Sequence, residues 1–76
     1  MDEVEIGRQA ARILNDDVFK LAVSMADDKF VDMWRHAPTP EERERAHALQ
    51  SALVEVMKQL EIIAANGEIE AQRRQV

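Results

Sequence analysis

The sequence predicts an all-α chain: an antiparallel helical hairpin with a short N-terminal helix, completed into a helix bundle by homo-oligomerisation. Three observations lead there. Apolar residues recur three and four positions apart in three separate stretches, the signature of helices with one greasy face. Two prolines, Pro38 and Pro40, stand either side of Thr39 and divide the second stretch from the third. Finally, the chain has 76 residues, no cysteine and 46% hydrophobic residues. A single domain this small hides only about 60% of the surface its unfolded form exposes. Without disulfides, the usual remaining support is association with copies of itself.

The first helix is expected over residues 4–14, where Ile6, Ala10 and Ile13 share a face with Ala11 and Leu14 beside them. Asn15 and Asp16 are both suited to cap a new helix, and Asp17 suits its positive end. The pattern leaves open whether helices one and two run on as one. The second helix, 17–36, carries Phe19, Val23, Ala26, Phe30 and Met33 at spacings of 4, 3, 4 and 3. That is a coiled-coil seam. Val18, Leu21, Met25, Val31 and Trp34 widen it beyond what one partner helix covers.

The stretch "MWRHAPTPEERERAH" then stops one helix and starts another. Residues before proline are driven out of the α region, so Ala37 and Thr39 cannot continue the second helix. Thr39 reads as an N-cap, Pro40 as the first helical residue, and Glu42 as the third member of a capping box. Glu41, Glu42 and Glu44 suit the positive end of the dipole. The third helix, 40–65, places Ala46, Leu49, Leu53, Val56, Leu60 and Ile63 on one seam. Asn66 and Gly67 read as its C-terminal stop, leaving 68–76 as a tail. All of residues 1–76 form one domain.

The expected core and self-association interface comprises Phe19, Val23, Phe30, Met33 and Trp34 facing Leu49, Leu53, Val56, Leu60 and Ile63. Trp34, the sole tryptophan, is expected to close the open end of the hairpin. Its alternative role is a binding hot spot.

Chemistry is sparse. Glu44 and His47 make an E-x-x-H pair, the spacing used in di-iron helical bundles. They flank the Ala46 seam instead of pointing along it, so they are weak metal candidates and no metal or cofactor is expected. Ser24 and Ser51 lie inside helices, and Gly7 and Gly67 build no phosphate loop, so no catalytic residue is assigned and no enzyme is expected. Arg8, Arg12 and Arg35 are the candidate contacts for an anionic small ligand. A net charge of −5 argues against direct nucleic-acid binding. No apolar run approaches the roughly 20 residues that cross a bilayer, so no membrane partner is expected. The opening "MDEVEIGRQAAR" lacks a secretory pattern, and the expected compartment is the cytoplasm.

"ARILNDDVFKLA", then "MW" and "PTPEERERAH", then "ANGEIEA", together resemble short, uncharacterised helical proteins of tailed bacteriophages. The likeness spans roughly residues 7–71. Asp17 stands where many such proteins have proline, and "RAHALQ" replaces a bulkier apolar step. The resemblance implies a non-enzymatic structural, assembly or packaging accessory protein, made in the host cytoplasm beside capsid proteins, with other phage proteins and the virion as its associates. A second expectation, from another class, is an oligomeric binder of a nucleotide signal that counters host defence. A ferritin-like metal bundle is the third.

Overall fold

The structure, a computed structural model, describes residues 2–75. Three helices account for most of it: α1, Glu3–Asn15; α2, Asp17–Arg35; and α3, Pro40–Arg74. The fold is all-α and hairpin-like, as the periodicity predicts. At about 1.5 Å per residue, the 35 residues of α3 give a rod that nearly spans the 57 × 22 × 17 Å molecule.

The two shorter helices run antiparallel along that rod. Asp2 meets Arg74, Gly7 meets Gly67, Asp27 meets Gln50, and Trp34 lies beside His47. Both pack chiefly on α3 and little on each other. One arm of the hairpin is therefore a single helix and the other is two in succession. The N-terminal helix lengthens the arm.

Asp16 makes the break. Its backbone is extended (φ −72°, ψ 127°), and it serves both neighbours. Its N–H donates to the Ile13 carbonyl at 3.1 Å, while its Oδ1 accepts the Phe19 amide at 2.8 Å. Asn15 turns the other way and donates from Nδ2 to the Ala11 carbonyl at 2.9 Å. Asp16, then, is the cap of α2, and Asn15 closes α1. Asp16→Ala is expected to cost about 1 kcal/mol in urea unfolding, the typical loss for an N-cap, and Asn15→Ala distinctly less.

At the other end, His36 closes α2 with its N–H on the Asp32 carbonyl at 3.0 Å. Thr39 Oγ1 accepts the Glu42 amide at 3.2 Å, with Pro40 opening α3. The hard stop and hard start read from the sequence are both present.

The C-terminal stop at Gly67 requires correction. α3 continues through Gly67 to Arg74, so most of the expected 68–76 tail is helix. Gly67 is buried and does not take a positive φ. Its role is proximity. A Cβ added to Gly7 would stand 2.7 Å from the Gly67 Cα and 3.1 Å from the Ile63 carbonyl oxygen, closer than real Cβ atoms come to a backbone carbon. Glycine inside a helix costs about 1 kcal/mol relative to alanine. The pair therefore concedes about 2 kcal/mol of helix propensity so that two backbones can touch.

The core built this way is small. Among the described residues, Val4, Ala10 and Ala46 are the buried apolar side chains. The face of α3 turned toward α1 and α2 is the row Ala46, Gln50, Leu53, Met57, Leu60, Ala64, Gly67 and Ala71, each buried or half-buried. Phe19, Val23, Ala26 and Phe30 of α2 are half-buried against it. Within this seam Gln50 Nε2 donates to Asp27 Oδ1 at 3.0 Å. A polar pair at a seam position fixes which residues stand opposite one another.

Candidate interaction surface

α3 has a second row, rotated to one side of the first. Leu49, Ala52, Val56, Gln59, Ile63 and Asn66 follow one another at spacings of 3, 4, 3, 4 and 3, and all are exposed. Such spacing is a coiled-coil seam without a helix on it. Arg45 precedes this row by four residues and Glu70 follows it by four, so it is uncharged between a cation and an anion.

The seam expected from sequence mixes the two rows. Ala46, Leu53 and Leu60 face inward, whereas Leu49, Val56 and Ile63 face out, Val56 with 57% of its surface exposed. At the close α1–α3 crossing, small Ala64 and Gly67 take the inner row and Ile63 is left outside. Along α2 the inner row keeps Leu53, Met57 and Leu60 and takes in Gln50, which bonds Asp27. Sequence reasoning also missed Gly7, Gln50 and Ala64. The available signal was that the chain's two glycines each sit a turn or less from alanines.

On α2, Met33 shares a groove with Arg45 and Leu49, which puts it on the side of the exposed α3 row. Helical spacing brings Ala22 and Met25 toward that side as well, and Val18 and Met25 are 74% and 64% exposed. Trp34 points the other way and lines a shallow depression with Val31, His47 and Gln50. At 49% exposure it lies over α3 as a half-open lid, an incomplete version of the closure expected of it.

The candidate ligand arginines do not converge. Arg8 lines a groove of about 490 Å³ between α1 and the second half of α3, opposite Glu61 and Glu68. Arg12 pairs with Glu5 at 3.5 Å, both well exposed. Arg35 ends α2, beside the turn. Glu44 and His47 border a depression with Trp34, Pro40 and Arg43. Among the described residues, no cluster of three or more His, Asp or Glu side chains is arranged to hold a metal ion. Nor is any helix of the described residues long and apolar enough to cross a membrane.

One ion pair closes the end of the rod. Arg74 donates from Nη2 to Asp2 Oδ1 at 2.7 Å, and its Nε lies 3.5 Å from a Glu70 carboxylate oxygen. The guanidinium holds the Asp2 carboxyl below its usual range, against the opposing pull of desolvation, and the Glu5 amide assists. A carboxyl whose folded pKa is depressed contributes stability above its unfolded pKa and loses it as pH falls through the folded one. The pair's stabilisation is thus fully present above about pH 4 and is lost on acidification below it. In Arg74→Gln, NMR titration of Asp2 is expected to show its midpoint moving up, with thermal stability below that of the parent near neutral pH and the difference vanishing in acid.

No family model matches the chain, and neither the characterised proteins nor the solved structures include a significant match to it.

Proposed function

We propose that this chain is a non-enzymatic interaction protein that works by associating with copies of itself and, through the resulting assembly, with other proteins. The observation supporting this most strongly is the uncharged, helix-free row on α3. Its scale supports the reading too. A compact monomer of this mass exposes about 4,700 Å², and the chain exposes 5956 Å². The excess, about 1,200 Å², exceeds the roughly 800 Å² that each partner buries in an ordinary stable complex. An assembly also repeats every surface it carries, so weak contacts with a second protein reinforce one another.

From the resemblance to short helical proteins of tailed bacteriophages, we take the setting to be virion assembly or packaging in the host cytoplasm. The small-ligand reading has less behind it, because Arg35 lies far from Arg8 and Arg12, and of those two neighbours on α1, Arg12 is already paired with Glu5.

The test is native mass by light scattering or sedimentation across a wide concentration range. An integral multiple of 8.7 kDa that falls on dilution is the expected result. A constant 8.7 kDa species with full helicity, even at millimolar concentration, would remove the basis for the proposal.

A further inference from the structure

The self-association proposed above leaves the mating surface unspecified, and the second α3 row carries enough information to name it. We infer that two copies pack α3 against α3 in antiparallel fashion, related by a two-fold axis near the middle of the row, between Val56 and Gln59. In that register Arg45 stands opposite Glu70 of the partner subunit, and Ala52 stands opposite Ile63 of the partner subunit.

Three features lead to this arrangement. First, a two-fold contact needs a surface that is complementary to itself when reversed. The row runs from Arg45 to Glu70 with no charge between, so reversal brings Arg45 to Glu70 at both ends, where the carboxylate is shared with Arg73 and Arg74 of its own helix. A parallel pairing would instead place Arg45 on Arg45 and Glu70 on Glu70, like charges at contact. Second, antiparallel seams set the two alternating heptad positions across from each other, and this register sets the small Ala52 across from the large Ile63. Steric complementarity of small against large suits close helix packing. Third, the exposed side of Met33 adjoins Leu49, so α2 adds apolar area along the flank of the same face. The surplus surface is of the size this contact needs. The α2 row is a poorer mate for α3, since Lys29 interrupts it and Asp16 ends its helix.

The inference rests on the self-association reading, and the following experiment separates the two. The chain has no cysteine, so single cysteines can be placed at will and oxidised by copper phenanthroline. Mixing Ala52→Cys with Ile63→Cys should give a covalent heterodimer within minutes, while Ala52→Cys alone and Leu49→Cys alone stay largely uncoupled. Rapid self-coupling of Leu49→Cys would overturn the antiparallel register. If the native mass is dimeric or larger yet no α3 pair couples, this inference fails and self-association stands. A monomer throughout ends both. As a second measurement, Val56→Glu should weaken association by about two orders of magnitude, because symmetry places each new charge in the seam twice. Unchanged association of a folded Val56→Glu chain counts against the seam whatever the cysteines do.

Discussion

Gly67→Leu is expected to lift α1 away from α3 and lower the unfolding free energy by about 2–3 kcal/mol, the upper part of the range for overpacking. Leucine is a far better helix former than glycine, so α3 itself gains about 0.8 kcal/mol from the change. Any net loss therefore reports the crossing. An added Cβ on Gly67 would sit 2.7 Å from the Gly7 Cα and 3.0 Å from the Glu3 carbonyl oxygen. Both are backbone atoms with no side-chain torsion to swing aside, so the whole of α1 must retreat. Val4 and Ala10, two of the buried apolar residues, then meet water. Gly67→Ala meets the same Cβ obstacle but carries nothing beyond it, and a net loss of about 1 kcal/mol is expected. Chemical denaturation gives the magnitude, and amide exchange over residues 3–15 gives the location. A leucine variant that melts at or above the parent temperature with α1 still protected would show that the helices do not touch at this point.

The second large effect is expected for Leu53→Asp. Leu53 belongs to the inner row and is half-buried beneath the α2 arm. Aspartate there removes apolar packing and puts a carboxylate among apolar neighbours, with a combined loss of about 3 kcal/mol or more. Small domains hold only a few kcal/mol in reserve, so helicity and association should disappear together. Val56→Glu, three residues along on the outer row, should reduce association first. Circular dichroism and native mass on the two variants form one comparison. Loss of helicity in Val56→Glu with only loss of association in Leu53→Asp would mean that the inner and outer rows have been assigned the wrong way round.

Local chemistry was the most legible part of the sequence. Thr39, Pro40 and Glu42 each carry a preference for one position at a helix start, and all three occupy it. Asp16 was only partly readable, because Asn15 was an equal candidate cap and the break between α1 and α2 was left open; the structure assigns the cap to Asp16. What could not be read was anything decided by the approach of distant segments. Gly67 looks like a terminator because glycine commonly ends helices; that it meets Gly7 depends on a partner far away in the chain. The seam of α3 was half misread for the same cause. By hydrophobicity alone, Leu49, Val56 and Ile63 outrank Gln50, Ala64 and Gly67. Burial here instead follows fit: small residues where backbones meet, and an amide where Asp27 awaits it. The candidate surface was thus visible as excess apolar residues, but its direction required the fold.

The one-sided division of the arms also governs the order in which the molecule can assemble. The Pro38–Pro40 corner brings α2 and the start of α3 together across a short connection, so that pairing costs little loop entropy. Gly7 must wait for Gly67, which is made much later on the ribosome, and a direct meeting would close a long loop. Once α2 has docked, however, Asp16 leaves α1 already aimed along the rod, and closure becomes nearly local. Zipping of this kind, outward from a corner, is fast. Helix α1 is thus made before the part of α3 it packs on, and it is the last of the three helices to find its place.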